Sequence, residues 1–407
     1  MNLFKLFAAS ALLSGSAFAE IERTEIYYQI AAGTEKSGVA SEKYFAKLAW
    51  GTAVHDKCLA EVELRAQKLL QRSNTNQKVA GYVSDEDLDI RNATVNCMFD
   101  DWELVLGKQQ VTWGQSDYFR VLDTINPLDT REHLLAYMDD LEEARLPLTM
   151  LNLSRILEDG DFQFLIIPDV KSTLLPINRS EFDNLSISGI ENNFNLPNDF
   201  TLKNTSLASR LRFFLGEWDV GLYSYYGWDF DPKPEQLNES NEALTLYRKK
   251  LFGVSLSRPL GVWVFRSDIA WQPDSQVSSS QGTLEVDRLS MLAGFDYALD
   301  TLSFSFQYAN FHQLNASKNH AINRRYEQGS VSVSKYFLAE RLFIQNDLIL
   351  EKHRSKLSQL NKFNISYKLR ENMGISGGLI NYFGSKNSAL GQFKNNSRIY
   401  FKLDFSF

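Results

Sequence analysis

Along most of the chain, apolar and polar side chains alternate one for one in blocks of about ten residues. Leu289, Met291, Ala293, Phe295, Tyr297 and Leu299 share one face. Leu302, Phe304, Phe306 and Tyr308 oppose Ser303, Ser305 and Gln307, and Phe363, Ile365, Tyr367 and Leu369 oppose Lys362, Asn364, Ser366 and Lys368. Successive side chains of a strand leave opposite faces, so a period of two predicts strands with one apolar and one polar side. Such blocks begin near residues 22, 41, 58, 87, 101, 148, 160, 205, 217, 245, 260, 284, 300, 323, 339, 357, 371 and 394. They predict about eighteen antiparallel strands, with about sixteen as the alternative count.

The connections sort by parity. Tight ones fall at 55–57, 100–101, 158–161, 216–218, 258–261, 299–301, 339–340 and 370–372. Longer polar ones fall between, at 73–86, 171–204, 230–243, 272–283 and 313–322. Short turns at one end and long loops at the other are the asymmetry of a transmembrane β-barrel, with the short turns on the periplasmic side. Composition agrees. Aromatics reach 13% while the mean hydropathy stays slightly polar, as expected when one strand face meets lipid and the other water. A positive start at Lys5 and the apolar run ending Ala17-Phe18-Ala19 read as a signal peptide, 1–19, which leaves 20–407 as the barrel.

Polar-face parity assigns the interior Lys43, Lys47, Glu61, Glu63, Arg65, Glu103, Arg210, Arg212, Asp219, Asp296, Lys362, Lys368, Lys402 and Asp404. Both signs are present, which suits a polar lumen without strong ion selectivity. The net charge of −7 argues against a nucleic-acid partner. The acidic runs 84–89 and 229–235 are expected in outer loops as solvated surface or as cation bridges to lipopolysaccharide. Cys58 and Cys97 are equidistant from the hairpin loop centred near 77–78, which sets them opposite each other near the periplasmic end. They are placed to form a disulfide in an oxidising compartment, with two free thiols as the alternative.

Residues 114–147 break the alternation. Tyr118, Phe119, Val121, Leu122 and Ile125 lead to a turn at Asn126-Pro127, after which Leu134, Leu135, Met138 and Leu141 recur at helical spacing. An apolar stripe in a loop predicts packing, so this segment is expected to fold into the lumen as a constriction, with an external cap or a partner-binding loop as the alternative. Asp117, Arg120, Asp123, Asn126, Asp129, Arg131 and Arg145 are the residues expected to line it, the arginines pairing with the aspartates and with Asp139, Asp140, Glu142 and Glu143.

A barrel hydrolase would need a serine with a histidine base. The five histidines are His55, His133, His312, His320 and His353. His133, with Ser116 upstream, is the one within the anomalous segment, and no serine–histidine spacing matches known barrel lipases. Zinc spacing and phosphate-binding glycine loops are also missing from the sequence, so no catalytic residue, metal or cofactor is assigned.

Two stretches carry resemblances. The final strand, with Ile399, Phe401, Leu403, Phe405 and Phe407 on one face, is similar to the assembly signal of Gram-negative outer-membrane barrels. That resemblance implies recognition by the barrel-assembly machinery and a surround of outer-membrane lipid and lipopolysaccharide. Gly107-Lys108-Gln109, Trp113-Gly114, Asn126-Pro127 with Asp129, and Arg145 with Pro147 resemble the signature region of a poorly characterised family of Gram-negative outer-membrane proteins. Alginate-export-type barrels are more remotely similar. The resemblance implies a channel or transport protein for a small or amphiphilic solute of unknown identity. It also implies a variant in which a lipid or hydrophobe conduit works with a periplasmic or inner-membrane transporter partner. An outer-membrane lipid hydrolase is the alternative from another class.

Overall fold

The computed structural model describes residues 20–407 except 37, 75–80, 136–137, 139, 184–193, 239–240, 280–281, 317–323 and 354. The expected signal peptide, Asp139 and His320 lie outside the described residues. In chain order the wall strands are β1 (Glu20–Gly33), β2 (Val39–His55), β3 (Cys58–Arg72), β4 (Tyr82–Phe99), β5 (Trp102–Gln109), β6 (Leu148–Leu157), β7 (Gly160–Ile167), β8 (Ser206–Leu215) and β9 (Trp218–Asn238). They continue as β10 (Asn241–Leu260), β11 (Trp263–Ser279), β12 (Gly282–Leu299), β13 (Leu302–Gln313), β14 (Arg325–Phe337), β15 (Leu342–His353), β16 (Lys356–Arg370), β17 (Met373–Gly384) and β18 (Arg398–Ser406). Each pairs antiparallel with its neighbours, and β1 pairs with both β2 and β18, which closes an 18-stranded barrel. Phe407 completes the seam by exchanging two backbone hydrogen bonds of 2.9 Å with Thr24. A two-residue parallel ladder, Phe194–Asn195 on Leu244–Thr245, lies outside the ring.

Every strand predicted from the alternation is present. The pattern works because the barrel is apolar outside and polar inside. On β13, Phe306 and Tyr308 are both 40% exposed on the lipid side, whereas inward Gln307 is fully buried. The eight tight turns fall where the polar breaks predicted them. Gly216 and Gly261 adopt φ of +60 and +65, and Asp100 and Asp300 adopt +51 and +49, conformations that glycine and aspartate tolerate best. Trp102, Trp263 and Phe337 are exposed on the outer face next to these turns, as in the aromatic girdles of membrane barrels.

The two acidic runs are not loop surface. Residues 84–89 belong to β4 and 229–235 to β9, so alternate members point into the lumen. Loop composition misled because lumen-facing strand positions are as polar as loops. A register shift between Glu63/Asn92 and Leu64/Ile90 inserts Arg91 as a bulge on β4. Strict alternation would aim Arg91 at lipid with Ala93 and Val95, and the bulge turns it inward, where it is 2% exposed. Below the bulge Cys58 lies directly opposite Cys97, and the two form a disulfide.

The wall is uneven. β4 and β9 run 18 and 21 residues, but β5 and β7 between them run only 8. Eight residues at about 3.3 Å, tilted about 40°, raise a wall about 20 Å high, less than the apolar band of about 25 Å. Among the described residues, β4 beyond Ala93 has no strand partner on its β5 side. The described parts of 110–147 and 168–205 lie against that sector instead.

Candidate functional site

The connection from β5 to β6 enters the barrel. Its apolar stripe buries Val121, Leu122, Ile125, Leu128, Leu135 and Met138. The helix expected over 130–144 is interrupted. His133, at φ +55, ends a turn closed onto Thr130, and a four-residue helix α1 (Leu141–Ala144) begins afresh with Asp140 as its cap, accepting from the Glu142 and Glu143 amides at 2.9 and 3.2 Å.

Polar bonds tie the segment to opposite sides of the wall. The Gln115 amide donates to Asp268 on β11 at 2.8 Å, and the Asp117 amide donates to Gln307 on β13 at 3.0 Å. Arg266 grips Asp117 with two bonds of 2.9 and 3.0 Å, and Tyr118 donates to Asp347 on β15 at 3.1 Å. From the other wall, Lys43 reaches Glu132 at 2.8 Å and Lys47 bonds Glu143. Arg91 donates to the carbonyls of Glu142, Glu143 and Arg145 at 3.0, 3.1 and 2.5 Å. Back on the first side, Lys362, the cross-strand neighbour of Asp347, donates to the Met138 carbonyl at 3.1 Å. A charge-assisted bond between groups withheld from bulk water is the stronger kind, so the segment is held in place and not merely resident.

The seven residues expected to line the constriction divide into two groups. Asn126 is fully buried and staples the segment to itself, accepting from the Val111 amide and donating to the Leu146 carbonyl, both at 2.9 Å. Asp123 and Arg145 pair at 3.0 Å, and both are nearly sealed from solvent. Those three residues build the segment. Of the other four, Arg120 and Asp117 keep solvent exposure, whereas Asp129 and Arg131 are as enclosed as the staples and border a lumen cavity. Arg120 donates to the Asp123 and Asn126 carbonyls, and its side chain keeps 23% exposure on the outer side. Asp117 keeps 34% exposure beside Arg266. Arg131 collects Asp85 and Asp129 at 2.6 Å and Asp87 at 3.4 Å. The Arg131 guanidinium holds the Asp129 carboxyl below its usual range despite burial, and the lysine and arginines around Glu143 do the same for it.

Two lumen cavities flank the segment. One of about 300 Å³ has Asp129, Arg131, Glu132 and Glu143 as its roof and Glu25, Lys402 and Ser376, near the short turns, as its lower wall. The other, about 400 Å³, lies under the outer loops between Arg120, Asp123 and Leu134 of the segment and Lys249, Arg288 and Tyr326 of the wall. The inward chain is the partition between them.

Asp268, Arg266, Gln307, Asp347 and Arg91 were not singled out from sequence. The first four share inward parity with charged or amide neighbours and were open to the same argument that found Lys362. Arg91 was not, because its bulge depends on the partner strand. His133 packs against Phe182 and Phe393 with ring centroids 6.2 and 4.5 Å away, and burial pushes its pKa down to about 4. Its Nδ1 is sealed from solvent and finds no hydrogen-bond partner among the described residues.

Solved structures share this architecture. Pseudomonas aeruginosa OccK5 (OpdH) aligns over 96% of this chain and 97% of its own at 11% identity, with a TM-score of 0.52. Pseudomonas aeruginosa OccK7 (OpdD) aligns over 96% and 98% at 12% identity and 0.53, and Acinetobacter baumannii OccAB4 over 97% and 99% at 10% identity and 0.54. At such identities the likeness is one of fold. No curated protein matches the chain. Residues 71–161, which hold β4, β5, the inward segment and β6, match the family model described as "Protein of unknown function (DUF1302)".

Proposed function

We propose that this chain is a non-enzymatic channel in the outer membrane of a Gram-negative bacterium, passing a small or amphiphilic solute, with 114–147 as its constriction. One observation carries the reading: the connection between β5 and β6 is folded back into a polar lumen and ion-paired to facing walls, leaving a cavity on either side. A cap on the rim would not bond Asp347, Lys47 and Lys362 across the bore. Lipid and lipopolysaccharide surround such a barrel, and the strand ending in Phe407 is its signal to the barrel-assembly machinery. A periplasmic or inner-membrane transporter partner belongs to the conduit form of the same function.

The test uses purified full-length protein in planar bilayers and in solute-loaded liposomes. Discrete conductance steps and liposome swelling are expected, with larger steps after deletion of 117–145. No steps and no swelling would overturn the channel. For the hydrolase alternative, His133 would have to act as a base, yet it sits against two phenylalanine rings. Phospholipid turnover lost in His133→Ala would restore that alternative.

A further inference from the structure

The sector where β5–β8 fall short leaves a cleft in the wall as well as a thin wall. Its volume is about 520 Å³, within the range of small-ligand sites. One side is the outer half of β4, which contributes Asp87 and Asp89 and, among the described residues, lacks a strand partner on its β5 side beyond Ala93. The opposite side is apolar: Leu174, Pro176, Phe194 and Leu196, of which Leu174, Phe194 and Leu196 are 37%, 41% and 40% exposed. Leu146 and Pro147, the last residues of the inward segment, form the floor. The cleft therefore lies between the unpaired edge of β4 and the end of the constriction segment.

Its level follows from the outward residues of β3 and β4. Lys68 pairs with Glu86 at 2.5 Å on the exterior, and charges on the lipid-facing side belong at the membrane surface. The next outward residues toward the periplasm, Leu88 and Ile90, are 54% and 43% exposed and face hydrocarbon. Asp87 and Asp89 alternate with them on the inner side, so the cleft opens at the boundary between headgroups and acyl chains of the outer leaflet.

The described loop side is bonded to the inward segment and to β9. Leu174 exchanges backbone bonds of 2.8 Å with Leu128 and Thr130, and Thr173 bonds Phe230 and Asp231 of β9 at 2.9 Å. Among the described residues, no backbone bond joins 168–176 to the free edge of β4. Bare backbone at membrane depth is tolerated where it lines a polar cavity, and this edge with its aspartates makes one wall of the cleft polar while the other stays apolar.

Resting on the channel reading, the geometry points to a lateral portal through which a single-chain amphiphile passes between the outer leaflet and the lumen. Its hydrocarbon chain lies on Leu174, Phe194 and Leu196. Its hydrogen-bonding head lies toward Asp87, Asp89 and Lys171.

The test places a fluorophore at Lys171→Cys in the full-length protein, where the native cysteines are already bonded to each other. The proteoliposomes contain a nitroxide-labelled fatty alcohol as quencher, whose neutral hydroxyl can donate to the two aspartates. Quenching is expected to exceed that of the same fluorophore at Gln345→Cys, on the lumen side of the regular wall, and to fall several-fold when Leu174→Trp and Leu196→Trp fill the cleft. Equal quenching at the two positions would overturn the portal, as would undiminished quenching in a filled variant of native conductance. Strong quenching in a barrel that never conducts would leave the portal standing and sink the channel.

Discussion

The barrel has two unlike sectors. From β12 to β17 the strands run 12 to 18 residues and each pairs along most of its length, so the wall is tall and made of sheet alone. From β5 to β8 they run 8 to 10 residues, and the upper wall is made by the inward segment and the 168–205 connection. The regular sector meets the constriction with single polar side chains: Asp347, Gln307 and Lys362. The short sector supplies the constriction itself and the acidic edge of β4 that clamps Arg131. Shortening strands thus does two things at once, freeing chain to fill the bore and leaving a side opening.

The largest test of that contrast is removal of the filling. Deleting 117–145 is expected to raise single-channel conductance while the regular sector keeps its amide protection by hydrogen exchange. Unchanged conductance would place the segment outside the conduction path.

Arg131→Ala strands Asp85, Asp87 and Asp129 together. Removing one partner from a buried ion pair costs about 3–5 kcal/mol, so exchange should quicken across 128–146 and not in β13 or β14. Equal protection in both sectors would mean that the clamp is dispensable.

Acid reaches the same anchors more gently. Asp129 and Glu143 have folded pKa values held below their unfolded ones of about 3.9 and 4.3. Their stabilising pairs are complete above those unfolded values and are lost as pH falls through the lowered folded ones. Conductance should be steady from pH 8 to about 5 and become noisy only below about pH 4. A midpoint near neutrality would implicate other groups.

Tyr118→Phe is expected to do least. It removes one hydrogen bond to Asp347, worth about 1 kcal/mol, while Ser332 and Gln345 still satisfy that carboxylate. A small rise in open-channel noise is the predicted reading, and a change as large as that of Arg131→Ala would move the main anchor to the regular wall.

Most of the wall was legible because its physics is local. Which face a residue takes follows from parity, and a tight turn needs only a few polar or glycine residues, as at Asp100, Gly216 and Gly261. The inward segment was legible as packed, since a stripe of Leu134, Leu135 and Met138 has no use in water. Its internal shape was less so. Asn126, Asp123 and Arg145 have the composition of pore-lining groups, and only their enclosure shows them to be staples.

The amino-acid pattern by itself determined the strand count, the lipid and lumen faces, the side of each connection and the opposition of Cys58 to Cys97. Each of these depends on neighbours within one hairpin. The tertiary structure alone decided the rest: the low wall between β4 and β9, the inward turn of Arg91, the broken helix before α1 and the cleft at the outer leaflet. These depend on bonds between distant parts of the chain, as from Tyr118 to Asp347, 229 positions apart, and a periodicity of two carries no information at that range.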